Sequence, residues 1–479
     1  MRNKGYFQGW YFKCSNGDKT IAFIPAYHRS ENITSASLQV ITDDEVYNIP
    51  FQKLRYTTKP LSIKNSFCIF VENFDEMEQR LLERHGYSEK ISRLLGKGIV
   101  VALTGQRRVG KSCVMRNIIS NLTNDDNNII YIDKERTEYD EIITYKDLLL
   151  YVKERLAEDK NNFLFIDEVQ EIEEFEKAIL ELQASGACEI MLTGSNAKML
   201  SGELATRLRG RYIDYHIRGL DYTEFLQFHK LPDNDDSLNL YIQNGGLPQL
   251  HQIGLDNQDL VNDYLMNIFN TIILRDVIER ENIRNIPLLR TLARFLSDNI
   301  GKQFSARSIS NYLKGQRTEA STNVILTYLE YLCNTYMLER VGRYNIHGKR
   351  LLEYDDKFYF EDLGVRNVLV GGNRNFDIEK LLENIVYKHL ARLGYSIYVG
   401  QLQKSEIDFV AEKLGNTVYF QVAYLLSSEE TVKREFGNLK QIKDNHPKYV
   451  ISMDKFFGQT NIEGIKHLYL RDFLKKAEF

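Results

Sequence analysis

The chain has 479 residues, of which 43% are hydrophobic and 27% charged, with a formal net charge of −4. This length predicts about three or four domains of ordinary globular protein, and the charge excludes a surface that is basic all over. No apolar run reaches the ~18 residues of a membrane span, the opening MRNKGYFQGWYFKCSNGD lacks a signal-peptide core, and the five cysteines are widely spaced, so a cytoplasmic protein without a dedicated metal-ligand motif is expected.

Residues 1–70 form a short β-rich segment. KTIAFIPAY, SASLQVIT and EVYNIPF are β-type runs parted by turn residues, without a helical period. In FVENFDEMEQRLLERHGYSEKISRLL the pattern turns helical, with leucines on one face and charges on the other. From Gly98 to Tyr215 the apolar strands IVVALT, NIIYID, NFLFIDE, EIMLTGS and YIDYHIR alternate with helical stretches. Such alternation predicts a parallel sheet covered by helices, here an α/β core over residues 71–220.

The first strand of that core runs into LTGQRRVGKSCVM. Gly105, Gln106, Arg107, Arg108, Val109, Gly110, Lys111 and Ser112 fit G-x-x-x-x-G-K-[ST] at every fixed position, and a helical sequence follows from Cys113. The pattern implies a P-loop NTPase fold. Glycines let the backbone wrap around phosphates, and the loop N–H groups and the helix N-terminus bind their charge. Residues 105–113 are therefore the expected nucleotide-binding stretch, with ATP and Mg²⁺ as ligands. Lys111 would reach the β- and γ-phosphates, and the Ser112 hydroxyl would hold the metal.

NFLFIDEVQ ends in Asp167, suited to the Mg²⁺ shell, and Glu168, suited to orienting or deprotonating an attacking water. A solvated acidic turn is the plainer alternative. EIMLTGSN ends in Ser195 and Asn196, where a polar side chain would contact the γ-phosphate or the lytic water; the same residues also suit an ordinary turn. TRLRGRY offers Arg207, Arg209 and Arg211, one of which would neutralise transition-state charge in this chain or a neighbour. A charged solvated face is the other reading.

Residues 221–285 read as a helical lid or connector. Within 286–350, ten Lys or Arg (Arg290, Arg294, Lys302, Arg307, Lys314, Arg317, Arg340, Arg343, Lys349, Arg350) face four acids (Asp298, Glu319, Glu330, Glu339). SARSISNYLKGQ and STNVILTYLEYLCNTYML each pair a capping serine with an apolar stripe, and two β-type runs follow. The cadence is that of a winged helix over 286–365, suited to DNA phosphates or, with its cations solvated, to a lid or protein-docking role. After VGGNRN, residues 366–479 give the helix IEKLLENIVYKHLARLG and the strands EIDFVAEK and TVYFQVAYLL, a further α/β domain.

Taken together, GQRRVGKS, FLFIDEVQ, IMLTGSNAKMLSGELATRLRGRY, GGLPQL and NTIILRDVIER resemble a prokaryotic AAA+-type ATPase family over residues 72–479. Its members carry a winged helix-turn-helix and a C-terminal domain of unknown function. The resemblance implies Mg²⁺-dependent ATP hydrolysis, with the phosphate-loop role on Gly105 to Ser112 and the acidic role on Asp167 and Glu168. FQGWYFKCSNGDKTIAFIPA resembles the opening of tocopherol-cyclase-like proteins, which have a β-rich, lipocalin-like fold, so residues 1–70 look like the truncated start of such a protein, joined to the ATPase by a gene fusion or a frame error, with strands that merely pair with the ATPase sheet as the alternative.

LLENIVYKHL, EIDFVAEK and YFQVAYLL resemble the core of PD-(D/E)XK nucleases, with Glu383 and Asp408 at two of the acidic positions. The third position reads Gln421-Val422-Ala423, without the carboxylate and the lysine. The nuclease-like domain is thus expected to be degenerate, since hard cations need anionic oxygens. The combined expectation is an ATPase that couples nucleotide state to its C-terminal half. The alternatives are a slow nucleotide-dependent switch, a DNA-binding regulator acting through 286–350, and a residual nuclease. DNA, a protein partner or further copies of the chain are the expected partners, and no membrane.

Overall fold

The computed structural model describes residues 84–197, 207–208, 210–281, 283, 285–348, 350–371, 378–402, 405–455 and 461–479, together with eight strands between Tyr6 and Val71. Met1–Leu82 forms one compact unit and Glu83–Phe479 another.

In the first unit, β1 (Tyr6–Gly9), β2 (Phe12–Asn16), β3 (Lys19–Arg29), β4 (Thr34–Thr42) and β5 (Val46–Phe51) make an antiparallel sheet in the order β1-β3-β4-β5, with β2 also on β3. β6 (Arg55–Thr58), β7 (Leu61–Lys64) and β8 (Ile69–Val71) form a separate antiparallel meander. The three β-type runs of the sequence coincide with β3, β4 and β5. Of the helical stretch expected from Phe70, residues 72–83 lie outside the described residues, and α1 covers His85–Ser92.

The second unit opens on a five-stranded, all-parallel sheet. Its elements are β9 (Val100–Thr104), α2 (Lys111–Leu122), β10 (Asn127–Asp133), α3 (Tyr145–Lys153), β11 (Asn161–Asp167), α4 (Phe175–Ser185), β12 (Glu189–Gly194) and β13 (Tyr212–His216). The strand order is β10-β11-β12-β9-β13. Val100 to Leu103, Phe163 to Ile166 and Ile190 to Leu192 are buried, as continuous apolar runs must be when helices cover both faces. Thr144 and Asp147 close a reciprocal capping box that starts α3. From β9 the chain crosses to the far edge at β10 and returns through β11 and β12. That reversal opens a crevice at the carboxyl ends of β9, β11 and β12, where open α/β sheets bind ligands.

Helices follow: α5 (Tyr222–His229), α6 (Asp235–Asn244), α7 (Leu250–Ile253) and α8 (Gln258–Thr271), which runs on as a π-helical stretch, Ile272–Glu279. Then come α9 (Ile286–Asp298), β14 (Gln303–Phe304), α10 (Ala306–Gly315), α11 (Thr322–Asn334), β15 (Leu338–Asn345) and β16 (Arg350–Phe360). Ser305 and Ser321 cap α10 and α11 by accepting the N–H groups of Ser308 and Val324.

The remainder comprises α12 (Leu363–Val370), α13 (Ile378–Arg392), β17 (Ser396–Gln401), β18 (Glu406–Lys413), β19 (Asn416–Ala423), α14 (Glu429–Lys440), β20 (Lys448–Ser452), β21 (Asn461–Ile462), β22 (Ile465–Tyr469) and α15 (Leu470–Phe473). β15 pairs in parallel with β17, so one nine-stranded sheet, β14-β16-β15-β17-β18-β19-β20-β22-β21, runs from the hairpin into the C-terminal strands. A pairing this distant leaves no local trace in composition.

α12 turns back onto the helices before the hairpin. The buried Arg366 donates from Nε to the Ser297 carbonyl at 2.8 Å, and Asn367 donates to the carbonyls of Ile242 and Gln243 at 3.1 and 2.9 Å. Asp362 accepts from the Gly246 N–H at 2.7 Å and caps α12 through the Val365 N–H at 3.0 Å. Among the described residues, no helix is long and apolar enough to cross a membrane.

Candidate functional site

β9 ends at Thr104, and residues 105–110 curl over the carboxyl edge of the sheet before α2 begins at Lys111. Two glycines permit this path. Gly105 has φ +137°, and a Cβ there would lie 2.2 Å from the Ile217 carbonyl oxygen. Gly110 has φ +98° and directly precedes the first turn of α2, whose free N–H groups favour an anion. The loop is held from outside by the buried Arg84. Its guanidinium donates to the carbonyls of Val109 (3.2 Å), Arg218 (2.6 Å) and Gly219 (3.3 Å) and pairs with Glu224 at 2.8 Å.

Lys111 is buried, and its Nζ donates to the carbonyls of Gly105 (3.0 Å) and Gln106 (3.1 Å), with Glu168 Oε1 at 3.7 Å. An amine at loop carbonyls is poised for a stronger acceptor in the loop. The buried Gln106 amide has no hydrogen-bond partner among the described residues. Arg107 is buried, whereas Arg108, at φ +67°, is exposed. Cys113 is half-buried, and burial, then Asp167, push its thiol up.

Asp167 at the end of β11 accepts from the Thr193 and Ser112 hydroxyls, with the Tyr131 hydroxyl at 3.5 Å. Burial pushes this carboxyl above its usual range, against both hydroxyls. A divalent cation would reverse that balance. A serine hydroxyl and a carboxylate in contact are hard oxygen donors, the set that Mg²⁺ takes, so this pair fits the metal.

Glu168 follows with φ +54°, outside the strand geometry, and its N–H donates to Thr193 Oγ1 at 2.9 Å. Its carboxylate accepts from Gln170 and from Ser195 (3.1 Å) and faces Lys111 at 3.7 Å and Arg107 at 3.9 Å. Burial alone would raise the Glu168 pKa, but Lys111 and Arg107 outweigh it and hold the carboxyl below the usual range. A buried, ionised carboxylate at the mouth of the loop can accept a proton or orient a water.

Ser195 and Asn196 are both buried at the end of β12, and Ser195 joins the Glu168 network. The three arginines of TRLRGRY fare differently. Arg207 is exposed, and Arg209 lies outside the described residues. Arg211 precedes β13, beside the entry to β9: its carbonyl accepts the Val100 N–H at 2.9 Å. A four-residue strand length, about 13 Å, separates that end from the loop. Arg211 is exposed and does not reach the phosphates of its own chain, which leaves it a solvated position or action on a neighbour's site.

Several residues at the site left no motif in the sequence. Arg84 stands 21 positions before the loop's first glycine, Gly105. Asp276 lies on the π-helical stretch and takes two hydrogen bonds from Arg107, Nε–Oδ2 at 2.7 Å and Nη2–Oδ1 at 2.9 Å. Burial opposes the charge on Arg107, but Asp276 and Glu168 raise its pKa above the usual value. The only advance signal was that Asp276 stands in NTIILRDVIER.

Below β13, Arg218 bonds Glu339 and Glu361 together, the latter at 2.6 Å, and the Gly219 N–H donates to Glu361 at 3.2 Å. His216 approaches the same two carboxylates at 3.8 and 4.0 Å. The guanidinium already supplies their counter-charge.

In the C-terminal strands, Glu383 on α13 and Asp408 on β18 come within electrostatic reach of each other. Between them stands Lys357 of β16, 3.1 Å from Glu383 and 2.6 Å from Glu406, so an amine does occupy this cluster although Gln421-Val422-Ala423 offers none. The Tyr359 hydroxyl donates to Glu383 at 3.0 Å, and the Val422 N–H to Asp408 at 2.7 Å.

Comparison with known proteins matches residues 97–226 to an AAA domain and residues 235–375 to a domain of unknown function (DUF8612). An uncharacterized protein of Haemophilus influenzae is 32% identical over 406 residues, covering 83% of this chain and 100% of that protein. The uncharacterized protein MJ1544 of Methanocaldococcus jannaschii is 30% identical over 393 residues, 77% of this chain and 86% of its own length. Among solved structures, the Walker-type ATPase PABY2304 of Pyrococcus abyssi is similar with a TM-score of 0.44 and 16% identity, over 61% of this chain and 96% of that one.

Proposed function

The chain belongs to the family of AAA-domain proteins that includes these Haemophilus influenzae and Methanocaldococcus jannaschii relatives, and we propose that it hydrolyses ATP with Mg²⁺ to bias the position of its C-terminal half. The observation that carries the reading is the convergence of Lys111, Ser112, Asp167 and Glu168 at one mouth, from two strands about 60 residues apart. Residues 105–113 bind the phosphates through backbone N–H groups and the α2 N-terminus. Lys111 leaves the loop carbonyls for the β- and γ-phosphates. Ser112 and Asp167 would hold Mg²⁺, which neutralises phosphate charge when bound. Glu168 orients the attacking water and takes its proton, with Ser195 and Gln170 fixing the carboxylate; Asn196 completes the polar wall beside it.

The coupling reading rests on hydrogen bonds that start at the loop. Arg84 ties the Val109 carbonyl to Glu224, and Arg392 of α13 pairs with the same Glu224 at 2.8 Å and with Asp221 at 2.8 Å. Arg218 adds Glu339 of β15 and Glu361. A change at the loop thus meets rigid charged contacts to the hairpin and to α13.

We read α9 to β16 as a winged helix, because its helix–strand–helix–helix–hairpin order matches the cadence in the sequence. The outward residues of α11 are Asn323, Val324, Leu326, Thr327 and Glu330, without a cation, while Lys302, Arg307, Lys314, Arg317 and Arg350 are exposed around it. That distribution favours phosphate contact from the surroundings of α11, with little base reading by the helix itself. The C-terminal strands are read as a nuclease-like fold used for contact, with Lys357 locking its acidic cluster.

Phosphate release from ATP, with and without duplex DNA, tests the whole. Lys111→Ala should abolish binding and turnover. Glu168→Gln should keep ATP binding and lower turnover by about 10²–10⁴-fold. Equal turnover in the Glu168→Gln protein would remove the assigned base, and turnover that persists in Lys111→Ala would remove the site.

A further inference from the structure

One arginine of the phosphate loop is spent on a contact that ATP binding alone does not explain. Arg107 lies between the two loop glycines, its side chain is 9% exposed, and its guanidinium makes paired hydrogen bonds to Asp276, 1% exposed, at 2.7 and 2.9 Å. The same guanidinium faces Glu168 Oε2 at 3.9 Å and Glu135 Oε1 at 3.5 Å. It therefore stands on the Glu168 side of the loop, where the terminal phosphate and the attacking water meet. Asp276 belongs to the π-helical stretch Ile272–Glu279, a geometry that is rare and concentrated at functional sites. Arg280, the residue after the stretch, pairs with Glu171, three positions beyond Glu168, at 3.3 Å.

We propose that Arg107 and Asp276 form a latch that reads the γ-phosphate, Arg107 giving charge to the terminal phosphate from within its own chain and Asp276 serving as the positioning residue. The inference rests on ATP being the ligand of this loop. Two buried charges keep their pairing only while neither finds a better partner. The γ-phosphate brings two or more negative charges beside Glu168. A guanidinium drawn there by bidentate contact gives up at least one Asp276 oxygen. ADP lacks that group and leaves the pair closed. Reduction of the paired contact to one hydrogen bond loosens the π-helical stretch from the loop while the remaining Asp276 oxygen still orients the guanidinium, so the helical region after the AAA core senses which nucleotide is bound.

The test compares hydrogen exchange of residues 272–281 in the full chain with ADP·Mg²⁺ and with a slowly hydrolysed ATP analogue, beside steady-state kinetics. In the unaltered protein the analogue should speed exchange of this stretch about tenfold over ADP. Asp276→Asn should show fast exchange with both nucleotides, a kcat lower on the order of 100-fold and a KM within threefold of the original, because the guanidinium is present but misplaced. Asp276→Glu should recover most of kcat.

Arg107→Ala should lose about 10³-fold in kcat while keeping ADP affinity. A structural role alone would lower the thermal midpoint and leave kcat and the exchange difference intact. Equal exchange with both nucleotides in the unaltered protein, or wild-type kcat in Asp276→Asn, overturns the latch alone. Absence of nucleotide binding by the unaltered protein overturns the ATPase reading with it. If Arg107→Ala does not fold, Arg107→Lys takes its place; an unchanged kcat there counts against the proposal, since a lysine cannot make the paired contact.

Discussion

Replacing Arg218 by Met removes the charge at the joint between the AAA sheet and the β15–β16 hairpin while keeping an unbranched side chain of similar reach. Arg218 is 13% exposed and Glu361 not at all, with the two 2.6 Å apart. Burial acts against the Glu361 charge, and Arg218 more than offsets it, so its carboxyl is held far below the usual range. Without Arg218, Glu361 keeps the Gly219 N–H at 3.2 Å, with His216 and Lys388 as the remaining groups that favour its charge.

Breaking one side of a buried pair costs about 3–5 kcal/mol, because the other charge is left desolvated. Glu339 adds less, being 16% exposed and still bonded by the Tyr387 hydroxyl. For a cooperative unit of roughly 400 residues, about 4 kcal/mol corresponds to a thermal midpoint lower by ~5 °C.

Thermal unfolding at pH 7.5 reads this directly, and a second substitution checks the cause. Arg218→Met/Glu361→Gln has no stranded charge and keeps a carbonyl acceptor for Gly219, so it should regain at least half of the loss. The pH dependence carries a sign. In the single variant the Glu361 pKa in the fold rises above its unfolded value, so stability is retained at low pH and lost as pH rises through the raised value. The deficit against the unaltered protein should therefore shrink from pH 8 to pH 5. A single variant within about 1 °C of the original, or a double variant no more stable than the single, would refute the assignment of Glu361 as the stranded charge.

Two further outcomes follow from the same geometry. Gly105→Ala places a Cβ about 2.2 Å from the Ile217 carbonyl at a φ of +137°, so the loop must shift; nucleotide affinity, read by titration with a fluorescent analogue, should fall on the order of 100-fold, and unchanged affinity would show the loop tolerates a side chain. His389 is buried, its Nε2 is 3.0 Å from the Lys476 carbonyl, and burial lowers its pKa to about 4. A depressed histidine stabilises the fold above its unfolded value of ~6.5 and loses that contribution as pH falls towards 4, about 2 kcal/mol being gone by pH 5. His389→Gln should flatten the decline in thermal midpoint between pH 7 and 5, and parallel curves would place the titrating group elsewhere.

The AAA core was legible because its chemistry is local. A phosphate loop needs its glycines, lysine and serine within eight positions, and the strand that ends in Asp167-Glu168 is a continuous apolar run. The capped helices α10 and α11 were legible for the same reason, since Ser305 and Ser321 act on N–H groups three residues away. Arg107 was readable as a loop residue, but the sequence held nothing that paired it with Asp276. Lys357 likewise stood in a β-type run whose neighbours gave no hint of Glu383.

By itself the sequence determined the order of strands and helices from Gly98 to Tyr215, the glycine-bearing loop at 105–112 and the acidic strand end that faces it. Backbone geometry and apolar periodicity act over a few residues, and their traces stay in the local text. Only the tertiary structure decided that β15 continues into β17, that Arg218 is bound by Glu339 and Glu361, and that Asp276 reaches back to Arg107. Those contacts join residues 56 to 169 positions apart, and burial sets the strength of the charged ones: a charge taken out of water must find its partner wherever the fold delivers one.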